Sequence, residues 1–174
     1  MLSRMPTSTH RRLSAGLFTV LAVTLAACGD DDAATTPATT DRQTAVADRG
    51  ADVMPFDLDA STHTFTPTDD GLIEDVVADD PDDGKNIALI REHLTSERDL
   101  FESGDFADPA AIHGDAMPGL ADLEAGASDI EIAYSELDDG ARLTFTSEDP
   151  ALVDALHRWG EAQVIDHGEH ADAG

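Results

Sequence analysis

Six histidines follow the only cysteine of this 174-residue chain: His63, His93, His113, His157, His167 and His170 lie beyond Cys28. If that thiol is used for something else, imidazole with thioether or carboxylate is the remaining route to a transition-metal site. His113 and Met117 offer one nitrogen and one sulfur four residues apart, a mixture that favours copper over zinc. Met54, just before Pro55, supplies a second thioether. His63, His93 and His157 complete the expected ligand set if their elements converge. Glu97 lies one helical turn after His93, where it can pair with the ring and orient it. The spacing is diffuse, without a compact signature such as His-Glu-x-x-His. Two other accounts compete with the metal. Histidines bordering apolar stripes are commonly hydrogen-bonded core residues, and Met117 can simply plug a loop. Alternatively, His113 or His157 serves as the general base of an enzyme, which requires a concave pocket and a histidine of perturbed pKa. His167-Gly168-Glu169-His170 reads as a solvated tail.

Other chemistries find no support. The chain has no Gly-x-Ser-x-Gly elbow, no Gly-x-x-x-x-Gly-Lys loop and no Gly-x-Gly-x-x-Gly turn. An EF-hand ending its turn at Gly84 would put Pro81 at a ligand position and Ile90 where a bidentate Glu belongs.

Cys28 itself has a use. Arg4, Arg11 and Arg12 precede the apolar run Leu13 to Ala27, and Leu25-Ala26-Ala27-Cys28 resembles the lipobox of bacterial lipoproteins. Fifteen mostly apolar residues fall short of the ~20 needed to span a bilayer. The expectation is a signal peptide over 1–27, cleavage before Cys28 and acylation of its thiol, leaving an envelope protein held to the membrane by lipid outside the cytosol. Arg11-Arg12 hints at twin-arginine export, but Ser14 and Ala15 lack the bulk that signal prefers.

All 37 acidic residues and 7 of the 10 basic ones lie beyond residue 27, giving that part a formal charge of −30. Such a surface repels phosphate backbones and anionic headgroups, so nucleic-acid binding and electrostatic membrane docking are disfavoured. The partners expected are the membrane, through lipid, and another envelope protein if the domain is an interaction module. That alternative predicts scattered histidines and an exposed apolar patch near Phe106 and Leu120.

The elements that must position these side chains follow from periodicity. Residues 28–48 are small and polar and read as a disordered tether, with the folded domain at 49–168 and a flexible tail at 169–174. Residues 61–68 alternate, with His63 and Phe65 on one face. Asp69-Asp70-Gly71 turns the chain, Leu72 to Ala78 returns, and Asp80-Pro81 opens a helix. The second half repeats the order: Ile130, Ile132 and Tyr134 alternate, Asp138-Asp139-Gly140 turns, Leu143 and Phe145 return, and Asp149-Pro150 opens the last helix. The fold class is therefore α+β, two ββα units forming a four-stranded antiparallel sheet with helices packed on one face. The stretch 104–120 fits neither period and reads as an ordered loop, followed by a short helix from Pro118 to about Gly126. Trp159 reads as core.

Residues 49–168 resemble a family of small exported bacterial proteins. The resemblance rests on Val53-Met54-Pro55-Phe56, Thr62-His63-Thr64-Phe65, Ile90-Arg91-Glu92-His93-Leu94, Gly104-Asp105-Phe106, Ile112-His113-Gly114 with Met117-Pro118-Gly119-Leu120, and Leu156-His157-Arg158-Trp159 running to Asp166-His167-Gly168. Members of that family often carry the label aspartate carbamoyltransferase. This chain lacks that enzyme's Ser-Thr-Arg-Thr loop, its one lysine opens a helix, and its charge would repel two anionic substrates. The resemblance thus implies a domain boundary and a motif rather than a mechanism.

Overall fold

Two hairpins build the sheet, and their second strands meet at its centre. A computed structural model describes residues 37–174 of the chain; the expected signal peptide, Cys28 and residues 29–36 lie outside the described residues. Strand β1 (Ser61–Thr68) pairs antiparallel with β2 (Gly71–Ala78), and β3 (Glu131–Glu136) pairs with β4 (Gly140–Thr146). β2 and β4 then pair antiparallel, with Leu72 opposite Phe145 and Asp75 opposite Arg142. The glycine of each Asp-Asp-Gly turn has a second task at this seam. A Cβ on Gly71 would lie 1.8 Å from the Phe145 carbonyl oxygen, and one on Gly140 would lie 1.9 Å from that of Val76. Only glycine lets the central strands approach so closely.

The sheet differs from the expected one by a fifth strand. β5 (Ala171–Ala173) runs parallel to β1, with Ala171 opposite His63, giving the order β3-β4-β2-β1-β5. The stretch read as a flexible tail thus buckles onto the strand that carries His63, and Ala171 is buried. Three small residues carry too little apolar pattern to announce an edge strand.

Helices cover one face only. Helix α1 spans Pro37–Val53, α2 Gly84–Glu102, α3 Ala107–His113, α4 Leu120–Gly126 and α5 Pro150–His167. His63, Phe65, Leu72, Val76, Ile132, Leu143 and Phe145 turn inward, while Thr62, Thr64 and Thr66 alternate to the open face, where Asp75 and Arg142 also pair. α5 begins at Asp149-Pro150, where Asp149 accepts a hydrogen bond from the Ala151 N–H. α2 starts later than Asp80-Pro81 suggests. Asp80 accepts from the Asp82 N–H and fixes a turn, and Asp83 is the residue that caps, accepting from Asn86 N at 3.0 Å. Ile87, Ile90, Leu94 and Phe101 form its buried stripe. No helix among the described residues is long and apolar enough to cross a membrane.

The segment 104–120 contains α3 and then a tight turn. Gly119 sits at φ +84°, and a Cβ there would lie 2.3 Å from the Ala155 carbonyl oxygen of α5. The Met117-Pro118-Gly119-Leu120 motif is thus a close-packed joint between α4 and α5. Met117 is buried in the apolar core, as are Phe106 and Leu120 at 2% and 1% exposure. Phe106 stacks on Phe101 with ring centroids 4.7 Å apart. The apolar surface patch expected of an interaction module is therefore absent at these residues, because both rings and chains are spent on packing.

The largest departure concerns residues 37–48, read as disordered tether and found as most of α1. This helix has little apolar pattern; among its described side chains Val46 is the one fully buried. Polar grips supply the rest. Arg42 pairs with Asp166 of α5, Arg49 Nε donates to the Ile112 carbonyl at 2.5 Å, and Gln43 Nε2 donates to the Ile165 carbonyl at 3.0 Å. Such long-range hydrogen bonds leave no trace in hydropathy.

Candidate functional site

Under α2, α3 and α5 lies a cavity of about 40 Å³ whose walls carry most of the chain's buried polar chemistry. β1 supplies His63, β2 Glu74, α2 His93 and Glu97, α3 Asp108 and His113, and α5 Trp159, Gln163 and His167. Met54, just past α1, also lines it. The positions follow from the elements: His63 shares the inward face of β1 with Phe65, His93 and Glu97 are one turn apart on α2, and Trp159, Gln163 and His167 recur every four residues along α5.

The histidines form a contiguous group. The rings of His63 and His167 lie parallel with centroids 5.3 Å apart, and His113 meets His167 edge-on at 5.0 Å. His93 joins through Phe56, whose ring is 5.5 Å from His93 and 5.9 Å from His63. His113 is held from behind. Its Nδ1 donates to Asp166 Oδ2 at 2.9 Å, Asp166 is gripped by Arg42, and Arg42 Nη2 also donates to the His113 carbonyl at 3.3 Å. A carboxylate on Nδ1 fixes the tautomer that keeps the lone pair on Nε2.

Charge is suppressed on the imidazoles and on two of the carboxyls. Burial pushes His63 well below its ordinary value, helped by His167, His93 and His113. Burial brings His167 down to about 4, with His113 adding to it. His93 and His113 are lowered by the same desolvation, against the opposing carboxylates of Asp108 and Asp166 respectively. All four imidazoles are thus neutral at pH 7 and carry a usable lone pair. The carboxyls shift the other way. Burial and the neighbouring Asp108 raise Glu97 to about 9, and burial with Asp75 nearby raises Glu74 to about 8, so both hold protons at neutral pH. Asp166 is pushed up by burial, yet Arg42 and His113 more than offset this and leave it below the usual range.

Four buried polar atoms find no hydrogen-bond partner among the described residues: His63 Nδ1, Glu97 Oε1, Trp159 Nε1 and Gln163 Oε1. All four belong to residues on this one cavity wall. Each such group costs about 1–3 kcal/mol, so together they rival the 5–15 kcal/mol net stability of an ordinary domain unless a polar occupant meets them.

The residues singled out from sequence divide. His63, His93, His113 and Glu97 come together at the cavity. Met117 does not, being core, and Met54 takes the thioether position beside the imidazoles. His157 is elsewhere: its Nε2 is shared by the carbonyls of Thr68 at 3.0 Å and Gly71 at 2.9 Å, tying α5 to the first hairpin turn. Glu97 has the carboxyl groups of Asp108, Glu74 and Asp105 as neighbours, and no hydrogen bond links it to His93 among the described residues. His167 was the residue missed. Its i+4 relation to Gln163 and Trp159 was the signal, masked by its position near a presumed tail. Among the described residues no three His, Cys, Asp or Glu side chains are placed to hold one metal ion as they stand, the parallel His63 and His167 rings turning faces rather than lone pairs to each other.

A second hollow opens above the first. This cleft, about 380 Å³, shares His63 and His167 with the cavity and is walled by α1, the turn at Leu58–Ala60 and His170. Asp48, Asp57 and Asp59 stand exposed around it, and His170 Nε2 is 3.9 Å from Asp59. No protein-family model, curated protein or solved structure matches this chain.

Proposed function

We propose that the chain is a lipid-anchored protein of the cell envelope whose folded domain binds a transition-metal cation among His63, His113 and His167, with Met54 as the thioether and His93 alongside. The observation that carries this reading is the clustering of neutral imidazoles, one with an unpartnered nitrogen, on a single small cavity. Ligand type narrows the metal. At neutral pH Glu74 and Glu97 are protonated and act as donors, which leaves the imidazoles, the Met54 thioether and the Asp108 carboxylate as the competent ligands. That set suits copper first and zinc second, and disfavours calcium or magnesium. Asp166 backs His113 as carboxylates back metal-bound imidazoles elsewhere. Coordination requires the His167 ring to turn out of its stack on His63, a side-chain rotation at the last residue of α5.

Titration of the purified full-length protein with Cu(I), Cu(II) and Zn(II), followed by metal analysis, tests this. One equivalent is expected, with His113→Ala and His167→Ala each abolishing tight binding. Asp166→Asn is expected to weaken binding by about 10–100-fold. Met117→Leu and His157→Gln should leave affinity unchanged. Sub-stoichiometric metal in the wild type removes the proposal. For the anchor, Cys28→Ser should release the protein from membranes and erase a fatty-acyl mass increment.

A further inference from the structure

We infer that α1 is a strap whose docking is coupled to cation binding: it lifts to admit the ion and closes to retain it. This rests on the metal reading just given and adds the element that controls access to that site. The imidazoles need such an element. His63 and His113 are 3% and 5% exposed, so an ion reaches them only if something moves.

Of the three long helices, α1 is the one held least by apolar burial. α2 buries Ile87, Ile90, Leu94 and Phe101, and α5 buries Leu152, Leu156 and Trp159. Against these, α1 sets Val46 alone among its described side chains, and adds polar attachments from Arg42, Gln43 and Arg49. Arg42 is 46% exposed, so water competes for its pair with Asp166. An element with few buried apolar contacts and partly wet hydrogen bonds opens more readily than the core helices.

Both ends of α1 bear on the site. Near its start, Arg42 holds Asp166, whose Oδ2 accepts from His113 Nδ1. Just past its last residue, Met54 lines the inner cavity. Between them Gln43, Ala47, Asp48 and Ala51 wall the outer cleft, which has His63 and His167 in common with the cavity. Undocking removes that wall, takes Arg42 from Asp166 and frees Met54 from its place beside the imidazoles. The docked form thus makes contacts to the ligand set that the undocked form lacks, and such a difference is what couples two equilibria.

Hydrogen exchange read by mass spectrometry tests this on the purified full-length protein. It is measured without metal and then with saturating Cu(I), Cu(II) or Zn(II), whichever occupies the site in titration. Metal-free α1 amides are expected to exchange faster than those of α2 and α5, and bound metal to slow them about tenfold or more. The variant Gln43→Ala/Val46→Ala/Arg49→Ala loosens the strap while keeping Arg42 and every residue that lines the inner cavity. It should bind metal about tenfold more weakly and release it faster, with α2 exchange unchanged as the sign that the remainder is folded. Linkage is reciprocal, so this loss cannot exceed the factor by which metal slows α1. Ile132→Ala, buried in the strand at the opposite edge of the sheet, lowers overall stability and should keep the wild-type affinity. Metal-free α1 amides as slow as those of α2, or α1 exchange indifferent to bound metal, overturn the strap and leave the metal site intact. A strap variant that binds like the wild type, or no more weakly than Ile132→Ala, overturns it too. Should that variant fail to fold, exchange in the wild type decides alone. A wild type that takes up none of the three metals overturns the metal reading itself, and this inference with it.

Discussion

The two ββα units are built to one plan and filled with different chemistry. With Gly71 set against Gly140, His63 falls on Ile132 and Glu74 on Leu143, strand position for strand position. The second unit spends these inward positions on core. The first spends them on an imidazole and a carboxyl that burial strips of charge. The contrast stops at the strands: α2 turns His93 and Glu97 into the cavity, and α5 of the second unit turns Trp159, Gln163 and His167 into it. One hairpin supports the fold, and the other gives up some of that support to line the polar cavity.

The comparison can be broken by exchange. Ile132→His would bury an imidazole where nothing prepares a partner, and should cost about 3 kcal/mol in urea unfolding. The reverse exchange, His63→Ile with Glu74→Leu, should raise stability by about 1–2 kcal/mol while abolishing metal binding. A loss of stability there would mean that the polar wall is satisfied after all.

A pH series on metal-free protein sharpens the point. The unfolded-state pKa of Glu97 is near 4.5 and its folded value about 9, so the folded state binds more protons between them and stability falls as pH rises through that window. Glu74 acts in the same sense up to about 8. Between pH 7 and 9 the four cavity histidines are largely neutral in both states, leaving a slope of up to about 1.4 kcal/mol per pH unit per carboxyl. Glu97→Gln should flatten it, whereas Glu131→Gln in the second unit should not. On the acid side the sign reverses, and stability tied to neutral His167 should be lost as pH falls from about 6.5 toward 4. The smallest effect is expected at the seam. Asp75 and Arg142 face each other across β2 and β4 on the open side, and Arg142→Ala should cost under about 1 kcal/mol.

How much of this was legible depends on which force set each element. Hairpins and the two long helices are written in alternation and in stripes, and both Asp-Asp-Gly turns fell where expected. The one-sided helical layer followed from the same stripes. β5 was invisible because three small residues have no period to read. α1 was invisible because its attachments are guanidinium and amide hydrogen bonds to carbonyls and a carboxylate far away in sequence. At the site, His63 and His113 were readable as candidates by type alone. Their association with His167 was not, since it depends on α5 running to its last turn against β1. Met117 misled because local spacing suggested a ligand, whereas the left-handed Gly119 turns that segment into a packing joint.

Arg42 carries a practical lesson about trimming. A chain begun at residue 49, where apolar patterning starts, would retain every side chain that lines the inner hollow. It would nevertheless lose the guanidinium that holds Asp166, and Asp166 is what aims His113. Such a shortened protein would keep its ring of imidazoles and lose the brace that keeps one of them pointing inward.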